Sequence, residues 1–349
     1  NYSFDKIKSK PLVFNNNHFN KSKEAIDFYQ NTKKIRQILC FNCLNEVVNY
    51  TFIKDKWYNK FNFNLANQDA LSKNQDDLSK IIIKNPIHSD FTVMRDSLIP
   101  GLLKNISLNL DFGTKNLKIF EIGTCFYSFD NQNTNIGFAI SGLDVVQNAV
   151  QKSREVDILD TKSIFVSIIT NFGIKESSLV FEEINDSLNV NKYSSYRVFI
   201  GKILIGTIIQ IHPVSLEQDF EIKNTSVFAG EIYCNALFSF AKKTKSNFVD
   251  KTLQDVERSL SFVFDKSVTA GSIIKAANKT KEISSVNITD IFEDEARLGK
   301  DKKSISIDIQ ISQQNETLTK DTIDNQIIAS VIKNITSIGG ILRDGKLSN

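Results

Sequence analysis

Four small groups of side chains in this chain have the types and spacing that chemistry uses. Cys40 and Cys43 form a C-x-x-C, the spacing of a redox pair or of half a zinc site. No second pair and no nearby histidine completes a metal shell. Their setting, from Ile35 to Leu44, reads as the apolar end of a helix, so both thiols are expected to pack in the core. His212, before Pro213, could be a general base; after an apolar strand it reads instead as a hydrogen-bonding residue. Asp157 and Asp160 could pair as acid and base, but three apart before an apolar run they read as helix N-terminal charges. Asp290, Glu293, Asp294 and Glu295 lack the spacing of a calcium loop and read as a solvated turn. No P-loop, nucleophile elbow or H-E-x-x-H occurs.

A further stretch, Met94-Arg95-Asp96-Ser97-Leu98-Ile99-Pro100-Gly101-Leu102-Leu103, combines charge with a helix start. Pro100 suits a first helical turn because its φ is fixed and it has no N–H to satisfy. Leu102, Leu103, Ile106 and Leu110 then fall on one helical face. Arg95 and Asp96 are expected at the helix–strand junction rather than inside a core.

Several elements must position these groups. Residues 1–30 are polar and asparagine-rich, with Pro11 and the run Asn15 to Asn17, and read as a linker or the tail of an upstream module. A helix is predicted at about 24–41, followed by a strand through Val47, Val48, Tyr50 and Phe52. Residues 54–80 are polar. From 81 to 240, strand-like runs dominate (81–83, 117–129, 136–143, 198–211 and 227–237), with helices at 100–110 and 160–173. The pattern is α+β, a mostly antiparallel sheet with helices. Beyond a lysine-rich connector near 241–247, Leu260, Phe262 and Phe264 alternate as a strand and Thr269 can cap a helix to Asn278. Val286, Ile288 and Phe292 suggest a second strand. Ile305, Ile307, Ile309 and Ile311 alternate strictly with polar residues. Thr319 then opens a helix that Gly339-Gly340 ends, and a last strand begins at Ile341. The order β-α-β-β-α-β predicts a ferredoxin-like sandwich. The divisions expected are 1–30, 31–243 and 248–349.

Composition bounds the rest. The 349 residues suffice for two or three domains, with apolar and charged fractions of a soluble globular protein. No run approaches the roughly 20 apolar residues of a membrane span, and no leader resembles a signal peptide. Four irregular cysteines are too few for a disulfide framework, which implies a reducing cytoplasm. A net charge of +3 predicts neither nucleic acid nor membrane. The chain starts at Asn1 and its only methionine is Met94, so it reads as a piece of a longer polypeptide. Residues 245–349 hold 15 Lys+Arg and 15 Asp+Glu, a net of zero. Within them Arg297, Lys300, Lys302 and Lys303 cluster before the isoleucine strand, with Arg258 and Arg343 near strand ends. The residues alone leave RNA binding and plain solubility equally open.

The decamer also resembles a block of the β subunit of bacterial phenylalanyl-tRNA synthetase, in a region similar to the class II dimerisation motif. Further blocks follow in the family's order: Glu46 to Ile53 (EVVNYTFI), Asn85 to Ile87 (NPI) and Leu117 to Tyr127 (LKIFEIGTCFY). After them come Asp157 to Phe165, Ile205 to Pro213, Phe292 to Gln310, Thr317 to Thr319 and Gly339 to Asp344, while Tyr2 to Leu12 resembles the exit from an upstream module. Three family features are altered: a Pro-Gly near Ser194-Ser195, the proline and aspartate around Arg258, and a glycine around Glu293 to Ala296.

The resemblance implies a class II synthetase-like, non-catalytic domain followed by a ferredoxin-fold anticodon-binding domain. Catalytic class II sheets carry arginines for ATP phosphates. Here Phe120-Glu121 stand at one such place, and no Gly-x-Gly-x-x-Arg appears around Phe228 to Tyr233. As implied, an α2β2 tetramer joins phenylalanine to tRNA(Phe) with ATP and Mg2+, and the α subunit holds that chemistry. No cofactor is expected on this chain alone. Arg95, Asp96, Pro100 and Glu121 become candidates for the subunit interface. Arg258, Arg297, Lys300, Lys302, Lys303 and Arg343 become candidates for tRNA binding. The rival expectation is a free-standing, non-catalytic RNA-binding or assembly protein derived from that subunit.

Overall fold

The computed structural model describes residues 19–63, 80–240, 253–312 and 319–343, apart from the side chains of 19–26 and 296. Expectations for Tyr2 to Leu12, Asn15 to Asn17, Thr317 and the 241–247 connector lie outside the described residues. The chain divides into two compact units, Asn1–Lys243 and Thr244–Asn349.

The first unit is built on a seven-stranded sheet. Its members are β1 (Asn45–Glu46), β4 (Leu117–Phe126), β5 (Gln132–Ser141), β8 (Leu179–Glu183), β9 (Tyr196–Ile200), β10 (Ile203–Gln210) and β11 (Val227–Tyr233). They lie in the order β1-β4-β5-β11-β10-β9-β8, all antiparallel except the β1–β4 pair at one edge. Short ribbons β2 (Phe52–Ile53) with β3 (Val93–Met94) and β6 (Leu143–Val145) with β7 (Arg154–Glu155) complete the unit.

Alternation along the strands divides their side chains between two cores. Phe120, Phe138, Ile140 and Ile205 pack with Ile35 and Leu39 of the helix Phe19–Phe41 and Phe165 and Ile168 of the helix Ile158–Asn171. On the opposite face, Ile119, Ala139, Ile209 and Ala229 meet Leu102, Leu103 and Ile106 of the helix Ile99–Asp111, together with Trp57, Phe61 and Phe220. Both faces of the sheet are therefore covered.

Several expectations change in detail. The strand read through Val47 to Phe52 is two pieces, because the chain leaves the sheet after Glu46 and rejoins a different ribbon at Phe52. The 81–83 run gives only a bridge between Ile82 and Val93. The 227–237 run stops at Tyr233 and continues as the helix Cys234–Phe240. Arg95 and Asp96, expected away from a core, are buried. Cys40 and Cys43, expected inside, are exposed, because the inward positions at that helix end are taken by Leu39 and Leu44. Asp157 behaves as read: it caps Ile158–Asn171, and its reciprocal partner is Asp160. His212 also behaves as read, its Nδ1 accepting from Val214 N at 3.3 Å to cap the helix Pro213–Phe220.

The second unit has the expected βαββαβ order. β12 (Val256–Asp265), β13 (Ile283–Phe292), β14 (Lys302–Ile311) and β15 (Ile341–Leu342) form a sheet in the order β13-β14-β12-β15. Ile305, Ile307, Ile309 and Ile311 are buried under the helix Ala270–Ala277 and the helical stretch from Lys320 to Thr336. Each contributes about 1.5–3 kcal/mol by leaving water. Thr269 and Thr319 cap these helices, and Gly339, with φ 92, supplies the left-handed residue at the end of the second. The middle of that helix, Ile323–Ile328, is π-helical.

Candidate functional site

In the first unit, the residues singled out from the decamer converge beneath the start of the helix Ile99–Asp111. Arg95 Nη1 lies 2.7 Å from Glu121 Oε1, with both side chains almost wholly buried. Its Nε donates to Thr124 O at 2.9 Å, and a Cβ on Gly123 would overlap the guanidinium. Gly123 is the opening through which the arginine lies flat on β4. Glu121 Oε2 in turn accepts from Asn49 Nδ2 at 2.8 Å, while Arg95 N donates to Thr51 O at 2.9 Å.

This clamp fixes the segment between β1 and β2 with its polar residue inward. Val48 and Tyr50, on either side of Asn49, point out and are 89% and 68% exposed. Tyr50 stacks obliquely on Phe91, with ring centroids 5.3 Å apart. Val47 packs against the core, but Val48 and Tyr50 in water on either side of a half-buried amide reverse ordinary patterning.

A second buried carboxylate, Glu231 of β11, caps the same helix from across the sheet. It accepts from Ser97 Oγ at 2.6 Å, Leu98 N at 3.1 Å and Asn135 Nδ2 at 2.9 Å. An anion at a helix N-terminus is favoured by the helix dipole. Pro100 occupies the first turn and is buried. Burial raises the pKa of Glu231, against the lowering effect of these donors. Burial and the charge of Glu231 push the Cys125 thiol well up, which keeps it a donor to Glu231 Oε1 at 3.7 Å. Asp96 is the third buried carboxyl: Asn59 N donates to its Oδ2 at 2.8 Å. Its pKa rises to about 7, chiefly through burial and also through the charge of Glu231.

None of the four interface candidates lies on the surface. The structure brings Arg95 and Glu121 together, sets Asp96 and Pro100 beside them, and adds Asn49, Ser97, Asn135 and Glu231, which sequence reasoning passed over. Glu231 carried a signal, as the one charge in a strand whose seven residues are all buried.

In the second unit the nucleic-acid candidates spread over both faces. Even-numbered residues of β12 lie on the helix-covered side, and there Arg258 Nε sits 3.3 Å from Asp324 Oδ1. Lys302 and Lys303 diverge: Lys303 donates to Lys266 O at 2.9 Å from the side of the buried isoleucines, while Lys302 faces the open side. Arg297, Lys300 and Arg343 are exposed, Arg297 lying 3.5 Å from Asp294. Asp290 belongs to β13, and Glu293 and Glu295 pair with Lys266. The open face itself carries a row of hydroxyls and acceptors. Ser259 bonds Asp308 at 2.6 Å, Ser261 meets Ser306 at 2.8 Å, and Ser285 bonds Gln310 at 2.9 Å.

A covered, mostly antiparallel sheet with a buried capping network, followed by an open-faced ferredoxin-like unit, defines an α+β protein with an added βαββαβ domain. Residues 20–234 match the family described as "Phenylalanyl tRNA synthetase beta chain CLM domain", and residues 252–343 match "Ferredoxin-fold anticodon binding domain". The chain belongs to the phenylalanyl-tRNA synthetase beta chain family.

Among curated relatives, a "Phenylalanine--tRNA ligase beta subunit" from Ehrlichia ruminantium (strain Welgevonden) is 28% identical over 98% of this chain and 41% of its own length. One from Francisella tularensis is 31% identical over 87% of this chain and 36% of its own. The chain thus spans about two fifths of the length of the relatives it matches. A pyrrolysyl tRNA synthetase structure from Desulfitobacterium hafniense is similar at TM-score 0.44 and 15% identity, covering 64% of this chain and 72% of that one.

Proposed function

We propose that this chain is the part of a phenylalanine–tRNA ligase beta subunit that holds the catalytic alpha subunit and binds the anticodon region of tRNA(Phe) in the cytoplasm. The observation that carries the first half is the outward apolar pair Val48 and Tyr50, held through half-buried Asn49 by the buried Glu121–Arg95 pair. In this reading Arg95, Asp96, Pro100 and Glu121 serve the interface from beneath, as positioning residues for the segment that touches the partner. The assembly is α2β2, and phenylalanine is joined to tRNA with ATP and Mg2+ on the alpha subunit. This chain does not fit ATP itself. Phe120 and Glu121 stand where a phosphate-binding arginine is needed, Glu121 is spent on Arg95, and both sheet faces are filled.

Coexpression with the cognate alpha subunit tests the scaffold. The wild-type chain is expected to co-elute with it on size exclusion, and Val48→Asp with Tyr50→Ala to elute alone while keeping its thermal transition. Failure of the wild-type chain to co-elute would favour the free-standing assembly protein.

For tRNA, the open face supports reading base edges. Hydroxyls and the Asp308 carboxylate accept from base amino groups, while Arg297, Lys300, Lys302 and Arg343 meet phosphates around it. Lys303 and Arg258 lie on the other side in this account and steady the edge. We expect Lys302→Ala to weaken tRNA binding and flatten its salt dependence by about one phosphate contact. Lys303→Ala should do less, and equal effects in a salt titration would refute the division of labour.

A further inference from the structure

The C-terminal turn of the helix Phe19–Phe41 carries a feature that the synthetase reading does not use. Leu44 N donates to Leu39 O at 3.1 Å, and Cys43 N donates to Cys40 O at 2.9 Å. These are the two bonds of a Schellman turn, and the apolar contact that accompanies it is present, since Leu39 and Leu44 are both buried. Cys43 occupies the left-handed position of that turn, φ 61. Glycine is the usual residue there, and a side chain costs about 1–2 kcal/mol. Cys40 and Cys43 both face solvent. A turn closed by this bond brings residues three apart to within about 7 Å between Cα atoms, and a disulfide spans roughly 4.4–6.8 Å.

The setting also says which thiol chemistry suits the pair. Two thiols are two ligands short of a tetrahedral zinc shell. Among the described residues no group of three or more His, Cys, Asp or Glu gathers to supply the rest.

We propose that Cys40 and Cys43 close into a reversible intramolecular disulfide that locks this turn, formed by exchange with a small-molecule disulfide. One thiol loses its proton and its sulfur attacks the small disulfide, forming a mixed disulfide and releasing one small thiol. The second cysteine sulfur then attacks the protein sulfur of that mixed disulfide, forming the Cys40–Cys43 bond and releasing the second small thiol. The protein gives up two electrons and two protons, and both appear on the two released thiols. The locked turn is the entry to β1 and to the segment bearing Val48 and Tyr50, but the chemistry stands whatever that segment binds.

Oxidised glutathione is the probe, with the full chain under native conditions. The expected product is lighter by two hydrogens, loses both solvent-accessible alkylation sites, and carries the crosslink in the fragment containing residues 40–43. Dithiothreitol should restore both sites, and Cys40→Ser should instead hold glutathione on Cys43. Three results would overturn the proposal. One is two alkylatable thiols in wild type under conditions that load the Cys40→Ser variant. Another is glutathione adducts on wild type without a crosslink. The third is stoichiometric zinc uptake that survives dialysis and shields both thiols, which would make the pair a metal half-site.

Discussion

Arg95 and Asp96 stand next to each other in sequence and meet opposite fates in the core. Arg95 is matched at 2.7 Å by Glu121, so removing either partner leaves a buried charge unpaired. We expect Arg95→Met to lower stability by about 3–5 kcal/mol and the double variant Arg95→Met, Glu121→Leu to recover part of that loss. Thermal unfolding of the four corners of the cycle checks it. Among the described residues Asp96 has no cation paired with it, and its pKa rises to about 7. Between the unfolded value near 4 and this raised value the folded chain holds a proton that the unfolded chain has released. Stability from Asp96 is therefore fullest at low pH, falls as pH rises through that window, and is level above it. Asp96→Asn removes the dependence, so its advantage over wild type should grow from pH 5 to pH 8, to at most roughly 4 kcal/mol. An advantage that stays flat across that range in denaturant melts would contradict the assignment. The charges of both residues are plain in the sequence. Their burial is not, because it depends on β4 and β11 lying against them.

Helix starts divide in the same way. Asp157 and Asp160 form a capping box within four residues, and that local device is legible from spacing. The helix Ile99–Asp111 has no capping side chain of its own; Glu231, 133 residues away from Leu98, does the work. Asp157→Ala should cost about 1 kcal/mol, the ordinary price of a lost cap. Glu231→Ala strands Ser97, Leu98 N and Asn135 together in the core, and we expect a loss of about 3 kcal/mol or more. Comparable melting shifts for the two variants would show that Glu231 is dispensable. Strand ends obey the same logic. The segment 47–51 has the residues of a strand, yet Asn49 is drawn in to Glu121 and the flanking Val48 and Tyr50 are turned out.

For the whole molecule, the relevant quantity is the distribution of charge rather than its sum. Residues 245–349 sum to zero. Of six basic candidates there, Arg258, beside Asp324, and Lys303, which donates to Lys266 O, lie on the helix-covered side. With four cations left for phosphates, the slope of log affinity against log salt for tRNA should be no steeper than about −3. A much steeper slope would mean that cations elsewhere in the chain carry the binding. By itself the sequence determined the two architectures, the βαββαβ order, the local helix starts at Asp157, Thr269 and Thr319, and the isoleucine seam of β14. Periodicity and capping act within a few residues, so the chain records them directly. Only the tertiary structure decided that Arg95, Asp96 and Glu121 lie inside, that Cys40 and Cys43 lie outside, and that Lys302 and Lys303 face opposite ways. Those outcomes depend on which distant strand or helix supplies the neighbouring atoms, and a buried charge is tolerated only where such a partner waits for it.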